Sequence, residues 1–206
     1  MRTAGWLLIL ILGAAPLSGQ PQTESIWTRL DRATSDFQAG RVNEAAAGFD
    51  AVAKAAPDLA PQLWQRGIAL YYAGRYKDCR AQFESHRTVN PNDVENAAWH
   101  FLCVARAESP AKARAALLPV GPDARVPMRE IYEMFRGTLT PDDVLKAGKG
   151  SPQAEFYAHL YVGLYFEATG NAGRARDEIR AAAADRFAAA GGYMHDVAKV
   201  HAARLK

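Results

Sequence analysis

From Ser25 onward, apolar positions in this chain recur at helical spacing, three or four residues apart. No segment alternates apolar and polar residues convincingly enough to predict a strand. Pro and Gly divide the pattern into segments. It predicts helices over Ser25–Ala39, Asn43–Ala55, Pro61–Ala73, Tyr76–Val89, Asp93–Glu108 and Pro110–Leu118. Further helices are expected over Met128–Arg136, Pro152–Thr169, Ala172–Ala190 and Tyr193–Leu205. Another starts at Thr140, with Thr as cap, Pro141 in the first turn, and Asp142 and Asp143 near the positive helix end. Adjacent carboxylates can suggest catalysis, but at this position they read as a cap. Ser109 before Pro110 reads the same way.

The segments repeat. Ala33, Gly40, Val42, Ala45, Phe49 and Pro57 recur 34 residues later as Gly67, Gly74, Tyr76, Cys79, Phe83 and Pro91. A small residue on the first helix of each pair lets the second approach, and Phe49 or Phe83 fills the wedge. Continuing the spacing gives an eroded third copy, with Phe101, Ala113 and Leu117 at the sites of Gly67, Cys79 and Phe83. A last copy carries Gly163, Gly170, Ala175 and Ile179. This interval is that of the tetratricopeptide repeat (TPR), a helix–turn–helix unit. The chain resembles an all-α, TPR-like solenoid, a right-handed superhelix. Its units fall at about 26–59, 60–93, 94–127 (degenerate) and 152–190, with a spacer over 128–150. The closing helix over 193–205 carries Met194, Val197, Ala198, His201 and Leu205 at helical spacing, and is expected to cap the stack. His195 and His201 read as its polar face.

A narrower resemblance rests on Arg66-Gly67-Ile68-Ala69-Leu70-Tyr71-Tyr72, Gly74-Arg75, Asn90-Pro91-Asn92-Asp93 and Trp99-His100-Phe101-Leu102. Ile131-Tyr132 to Gly137 with Leu139, Thr140 and Leu145, and the block Tyr157 to Ala182, extend it. Over about residues 60–200 the chain is similar to the bacterial NlpI lipoprotein family. That resemblance implies an envelope scaffold without chemistry of its own, holding peptidoglycan hydrolases or a processing protease. Gln20 stands where a bacterial lipoprotein carries its lipidated Cys.

Composition adds a compartment. Arg2, the apolar run Trp6–Leu12 and the small residues to Gln20 form a signal-peptide pattern over 1–20, or else a retained anchor. The expectation is an exported chain, periplasmic or secreted. After Arg2 is removed, 24 basic residues face 22 acidic ones, a net +2 that gives no argument for nucleic acid. In an oxidising compartment Cys79 and Cys103 can be bridged, or can simply be two small buried residues.

In a TPR stack the first helix of each unit lines the concave face. The first unit then offers Trp27, Thr34, Phe37 and Gln38, with Trp27 and Phe37 assigned to the core. The others offer Trp64, Ile68, Tyr71, Tyr72 and Arg75, then Glu95, Leu102 and Arg106, then Tyr157, Leu164 and Glu167. Aromatics and Arg dominate contact energy between proteins. The alternative is that these aromatics are core. Arg75 and Arg106 are placed to pair with acidic groups of the partner. His86, His100 and Cys103 lack the tight pair a zinc site needs. Lys146–Ser151 is an anion loop or a connector, with the connector preferred. Nucleophile-elbow and phosphate-loop motifs do not occur in the sequence. The sequence therefore predicts a non-enzymatic adaptor without cofactor or small-molecule substrate, binding a protein or peptide. Its rival is a self-associating structural protein, for example a homodimer.

Overall fold

The computed structural model describes residues 24–205, so the leader expected over 1–20 lies outside the described residues. Among those described there are twelve α-helices, two short 3₁₀ turns and no strand. The helices are α1 (Ile26–Gln38), α2 (Val42–Ala55), α3 (Trp64–Tyr72), α4 (Tyr76–His86), α5 (Val94–Ala107) and α6 (Pro110–Ala115). They continue as α7 (Met128–Arg136), α8 (Pro141–Ala147), α9 (Pro152–Thr169), α10 (Ala172–Ala182), α11 (Ala188–Gly191) and α12 (Tyr193–Arg204). None is long and apolar enough to cross a membrane.

Polar side chains start many of these helices. Ser25, Asp93, Ser109, Ser151 and Asn171 each accept a hydrogen bond from a backbone N–H of the first turn. At α8, Thr140 and Asp143 form a reciprocal capping box, so that acid is structural. Hairpins follow from the turns. Gly40, Gly74 and Gly170 hold φ of 76°, 75° and 89°, the left-handed region that ends a helix within a residue or two. α1 then packs on α2, α3 on α4 and α9 on α10, while α2–α3 and α4–α5 join successive pairs. The close approaches are real. A Cβ on Gly67 would stand 2.6 Å from the Phe83 ring, and one on Gly163 would stand 2.8 Å from Ile179. Ala45, Cys79, Ala113 and Ala175 are buried at the matching sites of their second helices. Pro91 sits exposed in the turn before α5, where its carbonyl accepts from Gly121 N–H at 3.0 Å. Cys79 and Cys103 are disulfide-bonded, with Cα atoms 5.9 Å apart, and tie α4 to α5.

Several expectations are corrected. α4 ends at His86, not Val89, and α10 ends at Ala182, not Ala190. Alanine propensity favours the longer α10, but a 3₁₀ turn over Asp185–Phe187 buries Phe187 against Phe156, with ring centroids 5.9 Å apart. Burial of an aromatic ring outweighs a few residues of helix propensity. Trp27 is not core: it is 70% exposed on α1. α12 does not present a polar face to solvent. It packs on α10 and on α1, and both His195 and His201 are buried. His195 Nε2 pairs with the Ala184 carbonyl at 3.1 Å, and His201 Nδ1 with the Tyr72 hydroxyl at 2.9 Å. The last helix thus returns to the first hairpins.

Candidate functional site

The return of α12 decides where the predicted groove residues lie. Ile68, Leu102 and Leu164 are fully buried core, not lining. Tyr71 and Tyr72 are buried as well, in a hollow of about 210 Å³ that they share with Tyr76, Arg106, Glu167, His201 and Arg204. Burial pushes both phenols well above their ordinary range. Arg106 is engaged within the chain, 3.1 Å from the Tyr76 hydroxyl and 3.6 Å from Glu167. Arg75 is tied to Asp50 and Asp78. Both arginines are about two fifths exposed, Arg75 at 41% and Arg106 at 42%, and each already has acidic neighbours within the chain. The residues assigned to one groove thus divide between the core and this hollow.

Trp64 and Tyr157 come together elsewhere. They line a cavity of about 340 Å³ with Phe83, His86, Asp93, Glu95, Asn96, Trp99, Arg125, Gly191, Tyr193 and Met194. The first turns of α5 supply its floor. Glu95, Asn96 and Trp99 fall on neighbouring positions of that helix, spaced so that their side chains share one flank. α12 supplies the far wall through Tyr193, whose ring stacks on Phe37 at 5.7 Å and meets Trp64 edge-on at 5.1 Å. The linker before α7 supplies Arg125 at the rim, 40% exposed.

Arg125 gathers three carboxylates. It binds Asp93 at 2.6 Å, Glu95 at 2.6 Å and Asp123 at 2.7 Å. Asp93 also caps α5, and Asp123 accepts from Val94 N–H, so the cluster is fixed to the helix start. Burial and the nearby Asp93 charge push the Glu95 carboxyl above its usual range, against the pull of Tyr161 and Arg125. Burial also acts to raise Asp123, but the hydrogen bonds from Arg125 outweigh it and hold that carboxyl low. Tyr161 donates to Glu95 Oε2 at 2.6 Å.

The cavity is unusual in what it leaves unpaired. Asn96 Oδ1 and Nδ2, Trp99 Nε1, His86 Nε2 and Tyr193 Oη are buried without a hydrogen-bond partner among the described residues. All four residues line this one cavity. Buried polar atoms are normally paired. His86 Nδ1 donates to the Pro61 carbonyl at 2.8 Å, which leaves Nε2 without a partner. Among these residues the set holds a ring nitrogen at His86, a donor at Trp99, a donor and an acceptor at Asn96, and a hydroxyl at Tyr193, each shielded within the lining. Such groups recognise amides or hydroxyls. The lining holds no Ser, Thr or Cys beside a base, the pair that nucleophilic chemistry uses.

Sequence reasoning placed Trp64, Glu95 and Tyr157 near a binding face but missed Asn96, Trp99, His86, Arg125 and Tyr193. Trp99 stands four residues after Glu95, which the sequence places in the groove, so helical spacing pointed to it. His100 and Cys103 form no metal site: Cys103 is bridged and His100 faces Glu84 at 3.3 Å. Among the described residues no group of three or more potential ligands gathers for a metal ion. The chain matches no protein-family model and no curated protein.

Proposed function

We propose that the chain is a TPR-like helical-repeat adaptor, exported to the cell envelope, that holds a peptide segment of a partner protein without acting on it. The partner fits best as an envelope hydrolase or protease, on the NlpI-like motifs at Arg66–Arg75, Asn90–Asp93 and Trp99–Leu102. One observation carries the binding role: the aromatic cavity at the start of α5, where unpaired amide, indole and imidazole groups converge. The repeat resemblance is supported by the glycine turns at Gly40 and Gly74, which end the first helices of two successive hairpins at the interval in the sequence. The proposed site is the cavity, not the whole inner face.

The test is titration calorimetry of the oxidised protein with a panel of capped pentapeptides of varied charge and apolarity. At least one class is expected to bind, and Trp64→Ala with Tyr157→Ala to weaken it at least tenfold at unchanged far-ultraviolet dichroism. A panel in which nothing binds contradicts the adaptor role. Self-association remains a second reading because Trp27 is 70% exposed on the outer first helix. A large exposed aromatic is the kind of anchor that protein contacts use. Sedimentation of the parent and Trp27→Ala decides it, since a dimer that dissociates in the variant supports self-association.

A further inference from the structure

We infer that the cavity selects a basic peptide side chain, with Asn96 pairing to the peptide backbone beside it; this rests on the peptide-binding role proposed above. Three features converge. The first is charge. Asp93, Glu95 and Asp123 share the single guanidinium of Arg125, three acids to one base, and Asp93 and Glu95 line the cavity itself. No second Lys or Arg lines the cavity to offset them. An acidic ligand meets repulsion there, and a cation meets attraction.

The second feature is the wall. Trp64, Trp99, Tyr157 and Tyr193 surround the same space. Indole and phenol rings attract an ammonium or guanidinium through their negative faces, most strongly when water is excluded. The third is Asn96, 2% exposed, with both amide atoms unpaired. A carboxamide carries a donor and an acceptor side by side, the complement of the N–H and C=O that one residue of an extended peptide presents on the same side. A cavity of about 340 Å³ admits a side chain with its own peptide unit, not a folded element. Neutral sugars can use the same donors and acceptors, but they gain nothing from the acidic cluster.

The experiment compares a capped pentapeptide with central Lys, its norleucine and Glu counterparts, and a neutral disaccharide, by calorimetry on the oxidised full chain. The Lys peptide is expected to bind at least tenfold tighter than the norleucine peptide, with affinity falling as salt rises. Glu95→Gln is expected to weaken the Lys peptide and spare the norleucine one. Asn96→Leu is expected to lose at least tenfold in affinity while melting no lower than the parent, because it removes two unpaired buried atoms. Equal binding of Lys and norleucine peptides overturns the cation preference and leaves peptide binding standing. Unchanged affinity in Asn96→Leu overturns the role of that amide. Binding of the disaccharide alone, or of nothing, overturns this inference and the adaptor role together.

Discussion

Gly67 shows how far single positions were legible. Its recurrence pattern called for a small residue facing Phe83, and the missing Cβ would indeed meet that ring at 2.6 Å. Gly67→Ala is therefore expected to cost ~1–3 kcal/mol through overpacking, read as a lower urea midpoint at unchanged slope. At Gly74 the surroundings are open, but φ is 75°, so Gly74→Ala is expected to cost ~1–2 kcal/mol from the backbone alone. The capping acids at Thr140–Asp143 were legible for the same reason: their chemistry is local. Asn96 was not. An asparagine on a helix looks the same in sequence whether water or a cavity receives it. Asn96 lines its cavity together with Tyr193 and Met194, almost a hundred positions later in the chain.

At the scale of the element, α12 was visible as a helix but misread as a lid with one wet side. Met194, Val197, Ala198 and His201 gave the period, yet the helix is wedged between α10 and α1, so its histidines are inside too. His201 carries the consequence. It is faced by Tyr71 and Tyr72 from α3, Arg106 from α5, Glu167 from α9 and Arg204 from its own helix. Burial holds its pKa below the ordinary 6.5, opposed by Glu167 and assisted by Arg106 and Arg204. A base held neutral in the fold takes up a proton more readily when unfolded, so stability is present above that value and is lost as pH falls below it. The melting temperature is expected to drop between about pH 7.5 and about pH 5, and His201→Phe to flatten part of that slope. His100, also lowered by burial, keeps the rest. A melt of both proteins across that range checks the assignment, and identical slopes contradict it.

For the molecule as a whole, the all-helical class and the hairpin order were readable because both follow from spacing within the chain. The closure was not, since it depends on a contact between Tyr193 and residues more than a hundred positions earlier, and a repeat period is silent about its two ends meeting. The bridge between Cys79 and Cys103, 24 residues apart, constrains the unfolded chain. Reduction is expected to cost ~3 kcal/mol, measured by urea unfolding with and without reductant, and two thiols should titrate only in the reduced protein. That covalent tie also makes the two sides of the cavity mechanically unequal. Phe83, His86 and Trp99 belong to helices stapled to each other, whereas Tyr193 and Met194 ride on a helix held by non-covalent packing against α10 and α1. A chamber that widens is therefore expected to yield along its unstapled walls, α12 among them, and to keep the α4–α5 side as its anvil.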